Sequence, residues 1–302
     1  MTDSRRIAWD GVSFRVPANW ELGVYKFPRK GVTRIEIEDE YSARLEAEWV
    51  RPKQTLQMQS ILGRYEKASG RLTRLAHEKA AVEGLPEGWF GTLYTFREAI
   101  PRRKAGGIGV LQHSLLTAFY MCPESSLFCF VILHRLPGDT EDLAEILRLF
   151  AGDFHHHREG DLIPWEFFDV TFSLPRAFVL ESAQFDVGTK LMIFRWKQRR
   201  LYLWHFSCAN MIVKGDVTLE PWVTGYLNGF SGLPAPRFYP GKAGDILWKR
   251  RARHPFGHRT ELAQWCFQYK VRCRVDEQKN QIIAWVFHYR KPDDLRMIWD
   301  KT

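Results

Sequence analysis

The opening part of the chain alternates hydrophobic and polar residues in short runs, which is the period of half-buried strands. Residues 12–17 (Val-Ser-Phe-Arg-Val-Pro) form the clearest run, and the closing proline ends it because proline donates no hydrogen bond to a sheet. Similar alternation predicts strands around residues 35–37 and 45–49. It also places Glu36 and Glu38 on the solvent side of their strand, where we expect ordinary surface charge.

A longer period predicts two helices in the first half of the chain. One covers Thr55–Ala68 and ends before Gly70, and the other covers Asp139–Phe150 with Asp139 or Thr140 as its N-cap. The other predicted elements are strands at 89–97, 113–121, 128–134, 169–174, 190–196 and 200–207, a helix near 219–230, a hairpin turn at 276–280 and a helix from Pro292. This order is typical of an α+β fold with mostly antiparallel sheets flanked by helices.

A motif near the start of the chain recurs in its second half. Residues 12–17 match residues 170–175 (Val-Thr-Phe-Ser-Leu-Pro) at an offset of 170 − 12 = 158. Further matches at the same offset are Trp20 with Phe178, Leu22 with Leu180 and Phe27 with Phe185. An ordered series of matches predicts a tandem duplication. We assign residues 1–154 to the first repeat, 155–162 to a linker and 163–302 to the second, more basic repeat.

The segment Gly11-Val-Ser-Phe-Arg-Val-Pro17-x-x-Trp20 resembles the start of PsbP-like domains, including their Ran-GTPase-binding relatives. The segment Phe172-Ser-Leu-Pro175-Arg-Ala-Phe178 resembles it a second time. The resemblance implies two α/β/α sandwich modules, in which an antiparallel sheet lies between helices. It also implies non-catalytic binding or assembly, and it transfers no catalytic residue.

Composition narrows the classes of protein that fit. A hydrophobic share of 45% supports a folded core and excludes disorder as the main state. No apolar run approaches the roughly 18–20 residues of a membrane span, and no apolar segment follows Arg5 and Arg6 as in a signal peptide. The five cysteines are an odd number, so no disulfide framework is indicated. We therefore expect a cytoplasmic protein that does not bind membranes.

The net charge of +9 is concentrated in the second half of the chain. Residues 1–158 hold 22 basic and 20 acidic residues, and residues 159–302 hold 22 and 15, so the halves carry +2 and +7. Arginine binds phosphate and carboxylate through two parallel hydrogen bonds, and aromatic residues next to it can stack on bases. We therefore predict an anion- or partner-binding set that consists of Arg199, Arg200, Lys249, Arg250, Arg251, Arg253 and Arg259.

Catalytic and metal-binding signatures are weak. No G-x-S-x-G, H-E-x-x-H or dinucleotide fingerprint occurs. The tract His155–His157 is interpreted as part of the linker, because consecutive side chains diverge and rarely chelate one metal. Cys122 and Cys129 are expected to face each other across a hairpin as reduced thiols. We predict no catalytic residue, no metal and no cofactor.

These observations favour a non-enzymatic binding or adaptor protein that engages a protein partner through its paired repeats. One alternative is a nucleic-acid-binding protein that uses the basic second repeat, since phosphate contacts require positive charge. A further alternative is an enzyme with a site between the repeats.

Overall fold

A computed structural model describes residues 3–29, 32–51, 55–101, 108–122, 124–156, 161–214, 217–233, 236–240, 246–250 and 268–299. The chain forms two compact units. The first contains Met1–Gly160 and Pro164–Phe172, and the second contains Asp161–Ile163 and Ser173–Thr302. The predicted second repeat begins at residue 163, but residues 164–172 belong to the first unit.

The elements up to residue 175 are, in chain order, β1 (Ser4–Trp9), β2 (Val12–Pro17), β3 (Glu21–Arg29), β4 (Val32–Glu38), β5 (Ala43–Val50), α1 (Thr55–Leu75), β6 (Glu78–Ala81), β7 (Trp89–Pro101), β8 (Ile108–Met121), β9 (Phe128–Arg135), α2 (Leu143–Gly152), β10 (Leu162–Phe167) and β11 (Val170–Pro175). The remaining elements are β12 (Val179–Asp186), β13 (Thr189–Trp196), β14 (Arg199–Ser207), α3 (Ala209–Ile212), α4 (Leu219–Gly229), β15 (Pro236–Pro240), β16 (Ile246–Arg250), β17 (Gln268–Asp276), β18 (Gln281–Tyr289) and α5 (Pro292–Trp299).

The first unit contains a seven-stranded antiparallel sheet with the order β3-β4-β5-β9-β8-β7-β6. Helix α2 packs on one face, where the Phe150 and Trp89 rings meet edge to face at 5.7 Å. Asp142 starts this helix, and its carboxylate accepts a hydrogen bond from the Ala144 backbone. Helix α1 lies on the opposite face, where Tyr65 packs against Phe130.

A four-stranded sheet has the order β11-β10-β1-β2. Strands β1 and β2 are joined by Asp10 and Gly11, both with positive φ (48° and 79°). Two such residues form the turn whose twist matches a hairpin, and glycine adopts that conformation without strain. Ala8 of β1 pairs with Glu166 of β10, so residues 164–172 extend the hairpin of the first unit.

The second unit contains a five-stranded antiparallel sheet with the order β12-β13-β14-β18-β17, and a two-stranded ribbon of β15 and β16. Helix α4 covers one face of the sheet through Val223 and Leu227, which pack into a core with Tyr202, Trp204 and Phe206. The hairpin turn predicted at residues 276–280 joins β17 to β18.

Most of the predicted strands are confirmed, and the described chain is mostly β with antiparallel sheets and few helices. It therefore has less helix than the predicted α+β pattern implied. Two helix limits were wrong. Helix α1 continues past Gly70 to Leu75, and the N-cap of α2 is Asp142 rather than Asp139 or Thr140. Asp139 instead pairs with Arg44.

Within the described residues, no helix has the combined length and apolar character needed to span a membrane. Of the hydrophobic residues in the repeated motif, Val12, Phe14 and Val170 are buried in cores, whereas Phe172 is only partly buried.

Candidate functional site

A groove of about 750 Å³ lies between α1 and the seven-stranded sheet of the first unit. Its floor consists of side chains from four neighbouring strands, namely Arg34 of β4, Glu46 and Glu48 of β5, Phe130 and Ile132 of β9, and Leu115 and Thr117 of β8. Strand alternation explains this floor, since the residues between these positions point to the other face and form the core under α2. The volume and the mainly apolar lining are those of a binding cleft.

One end of the floor carries a cluster of charges. Arg34 forms an ion pair with Glu46, and its guanidinium nitrogens lie 3.3 Å from a Glu36 oxygen and 3.6 Å from a Glu48 oxygen. The His134 Nε2 atom lies 3.1 Å from Glu46 Oε1. Glu36 and Glu46 occupy directly opposite positions on β4 and β5, an arrangement that repels unless a cation bridges it. Arg34 provides that cation.

Helix α1 is anchored over the floor by two aromatic residues of the first unit. The Tyr65 hydroxyl donates a hydrogen bond of 2.7 Å to Glu48, and its ring centroid lies 4.0 Å from that of Phe130. One turn further along, Ser69 shares a hydrogen bond of 2.8 Å with the hydroxyl of the fully buried Tyr94. These contacts hold the middle of the helix and leave the groove open beside its C-terminal half.

The Tyr94 hydroxyl lies among other polar groups. Burial raises the pKa of Tyr94, but hydrogen bonds with Ser69, Thr73 and Thr117 and the nearby charge of Lys79 outweigh it, so the pKa is lowered. Ser69 and Thr117 also line the groove. A ligand on the apolar floor therefore has hydroxyl groups beside it that can donate or accept hydrogen bonds.

The rim of the groove is formed by the exposed side of α1. Leu75 is 64% exposed at the rim, and Leu72 lies below it on the wall. Lys67 and Arg71 also line the groove and are exposed. They are four residues apart, so they occupy the same side of the helix. The rim thus combines an exposed apolar side chain with two cations.

The arrangement suits binding through apolar contacts flanked by charge. In the part of the chain that the structure describes, no group of three or more His, Cys, Asp or Glu residues is placed to hold a metal ion. The groove itself offers an apolar floor, hydroxyl groups and a charged end, which are the components of a recognition site.

Two residues of the predicted anion-binding set are described with their side chains, and both are engaged by carboxylates. Arg199 donates hydrogen bonds of 2.7 and 2.9 Å to Asp294, and Arg200 donates bonds of the same lengths to Glu181. The Arg200 contact lowers the pKa of Glu181. The two arginines are adjacent on β14 and therefore point to opposite faces of the sheet. The structure does not bring them together.

The other members of that set cannot be placed in the same way. Residues 249 and 250 end strand β16, and their side chains lie outside the described part. Arg251, Arg253 and Arg259 also lie outside the described residues. The proposed contact of this segment with an anionic partner therefore stays a prediction.

The histidine tract and the cysteines have local structural roles. His155 forms a backbone bridge with Ser13. The side chain of His156 is buried, with Nε2 3.1 Å from the Tyr120 hydroxyl and Nδ1 3.5 Å from Ser125 Oγ. His157 lies outside the described residues. The expectation that Cys122 faces Cys129 was wrong, because Cys129 lies opposite Tyr120, while the Cys122 backbone binds that of Leu127.

The charge cluster around Arg34 was missed by sequence reasoning, which treated Glu36 and Glu38 as surface charge. Glu36 has a side chain that is only 20% exposed and contacts Arg34. A usable signal was present: Arg34-Ile-Glu36 and Glu46-Ala-Glu48 put opposite charges on one face of two consecutive strands. Opposite charges on the same face of neighbouring strands are close enough to form ion pairs, so this pattern indicates an ion cluster rather than scattered surface charge.

No protein-family model matches this chain, and no curated protein matches it. The resemblance to PsbP-like domains therefore rests on the motif residues alone.

Proposed function

We propose that this protein is a non-enzymatic binding protein that receives a segment of a protein partner in the groove beside α1. The observation that carries the proposal is the groove itself, with its volume of about 750 Å³ and its apolar floor of Leu115, Phe130 and Ile132. Burial of apolar side chains is the main favourable contribution to protein association. An exposed apolar rim at Leu75 extends the same surface towards a partner.

A duplication of one unit, related to PsbP-like modules, is the second part of the proposal. The order β3-β4-β5-β9-β8 in the first unit has a counterpart in β12-β13-β14-β18-β17 in the second. In both units a helix follows the third of these strands in the chain, namely α1 after β5 and α4 after β14 and the short α3. Another helix follows the strand that comes last in the chain, namely α2 after β9 and α5 after β18. The hairpins β1–β2 and β10–β11 carry the repeated sequence motif. These correspondences support a common origin for the two sheets.

If the two sheets share an origin, the face of β5 that lines the groove can be compared with the corresponding face of β14. On the helix-facing side of β14, the counterpart of β5, the side chains are Tyr202, Trp204 and Phe206, which pack with α4. On β5 the corresponding face presents Glu46 and Glu48 to the groove. Partly buried ion pairs beneath a helix are often no more stabilising than well-packed apolar side chains of similar volume. Their presence supports a binding role for this face of the first unit.

A protein segment is the occupant we favour over nucleic acid. Glu46 and Glu48 lie on the floor and Glu36 contacts Arg34 beside them, and these carboxylates repel phosphates. The groove also lies in the half of the chain that carries only +2 of the net charge of +9. Nucleic acid remains the alternative for the basic segment of the second half, where the sequence alone supports it.

A matched pair of variants tests the proposal. Leu75→Glu places a charge at the rim of the groove, whereas Leu136→Glu makes the same change at an exposed leucine (42% exposed) that does not line it. We expect partners captured by the tagged wild-type protein from nuclease-treated lysate to be retained by L136E and lost by L75E. Both variants should keep the wild-type melting temperature, because both leucines are exposed.

If L75E and wild type capture every partner equally, the groove is not the binding site for those partners. Capture that disappears on nuclease treatment would instead support nucleic-acid binding. Mass spectrometry of the bound fractions provides the comparison in both cases.

A further inference from the structure

The accessible charge at the rim of the groove is positive. Lys67 and Arg71 line the groove from α1 and are exposed. Arg74 continues the same side of the helix three residues further on. Side chains at these spacings form one stripe along a helix. A ligand that enters beside Leu75 therefore passes this basic stripe.

The negative charge of the groove is placed differently. Glu46 and Glu48 lie on the floor, where they contact Arg34, and each has a second contact with His134 or Tyr65. Their side chains are only 24% and 20% exposed. The carboxylates are thus turned towards groups of the protein at one end of the floor, while the cations project at the rim.

We propose that the segment bound by the groove is both apolar and acidic, with its apolar side chains on the floor and an Asp or Glu at the rim beside Lys67 and Arg71. This inference rests on the proposed function, because it names the chemistry of the partner at the same site. Opposite charges at the rim attract the segment, and the floor carboxylates repel an acidic residue placed on the floor.

Synthetic peptides test the inference without knowledge of the natural partner. Three fluorescently labelled peptides share a Leu-Leu-Ile core and carry two flanking Glu, two flanking Ser or two flanking Lys residues. Fluorescence anisotropy with the full-length chain should give the tightest binding for the Glu peptide and the weakest for the Lys peptide. Added salt should reduce the difference, because exposed charges are screened.

Charge-neutralising variants identify the residues responsible. Lys67→Gln with Arg71→Gln should weaken the Glu peptide about fivefold, the size of two exposed ion pairs, and leave the Ser peptide unchanged. The control is Lys214→Gln with Arg296→Gln, which makes the same change in net charge at two exposed positions of the second unit. The control should bind all three peptides as wild type does.

The outcomes separate this inference from the proposed function. If the three peptides bind equally, or if the Lys67 and Arg71 variant still prefers the Glu peptide as wild type does, the acidic-segment inference is overturned while apolar binding in the groove stands. If no peptide binds and L75E leaves partner capture unchanged, the proposed function itself fails. A preference for the Lys peptide would show that the floor carboxylates select the ligand and would also overturn the inference.

Discussion

The side of the sheet that faces a helix is packed differently in the two units. In the second unit, α4 closes on a layer of aromatic residues, and the ring of the fully buried Trp204 meets that of Phe230 edge to face at 5.3 Å. In the first unit, α1 contacts the sheet through its own Tyr65 and Ser69, and the strands beneath it present Arg34, Glu46 and Glu48 to an open groove. In the second unit this face is a packed core. In the first unit, charged and hydroxyl groups lie between the helix and the sheet, and a groove remains. Under the proposed function, the second unit uses this face for stability and the first uses it for recognition.

The largest expected effect is on the filled face. Trp204→Ala should lower the free energy of unfolding by about 3–5 kcal/mol, because it removes a fully buried aromatic side chain and leaves a cavity. Leu72→Ala on the wall of the groove should cost about 1 kcal/mol or less, since that side chain already borders open space. Urea unfolding of both variants measures the difference. Similar losses in the two variants would contradict the contrast between a filled and an open face.

The second largest loss in the free energy of unfolding is expected at a buried ion cluster of the first unit. Arg44, whose side chain is 6% exposed, contacts Asp39 and Asp139. Arg44→Met should cost about 3 kcal/mol at pH 7, because it leaves two carboxylates facing each other without a cation.

The same variant has a characteristic pH dependence. The hydrogen bond from Arg44 is the largest cause that lowers the pKa of Asp139, and backbone and Arg44 contacts lower that of Asp39 despite its burial. Carboxylates with a lowered folded pKa contribute stability above their unfolded pKa and lose it as the pH falls through the folded value. The gap between wild type and R44M should therefore be full at pH 7 and should shrink below about pH 4. A gap that is independent of pH from 7 to 3 would show that the cost comes from packing alone.

Replacement of the charges on the groove face by apolar residues should change the free energy of unfolding by a smaller amount, and in the stabilising direction. In the triple variant Arg34→Leu, Glu46→Leu and Glu48→Leu, apolar residues replace a partly buried ion cluster. We expect its free energy of unfolding to be equal to that of wild type or up to about 1 kcal/mol higher, as when buried ion pairs are replaced by apolar side chains. Partner capture should be lost. A destabilised triple variant would mean that the cluster holds the sheet together and is not retained for recognition.

The smallest effect is expected at the exposed pair of the second unit. Arg200 and Glu181 are 40% and 32% exposed, so solvent screens their interaction. Arg200→Ala should change the free energy of unfolding by less than about 1 kcal/mol, and 1 M NaCl should remove most of the difference. Urea titrations at low and high salt provide the measurement. A loss comparable to that of R44M would place Arg200 among the structural arginines despite its exposure.

The sequence determined the elements of this protein because their signals are local. Strict alternation at Ile35 and Ile37 indicated β4, and the polar turn at residues 276–280 indicated the β17–β18 hairpin. Helix ends were less certain, since the choice of Asp142 over Asp139 as the N-cap depends on Arg44, which binds Asp139 from 95 residues away. The repeated motif at residues 12–17 and 170–175 predicts a duplication, which stays a proposal.

Tertiary structure alone decided what each face of a strand meets. Alternation shows that Arg34 and Glu36 share one face of β4, but it does not show whether water, a helix or another sheet covers that face. The same face is a solvated surface if α1 is absent and the floor of a groove if α1 lies across it and contacts it through Tyr65. In the same way, a run of arginines signals a basic surface, yet Arg199 and Arg200 are engaged by Asp294 and Glu181 once distant strands and helices meet. A linear pattern gives the direction of a side chain, whereas its partners come from segments far along the chain, and only folding brings those together.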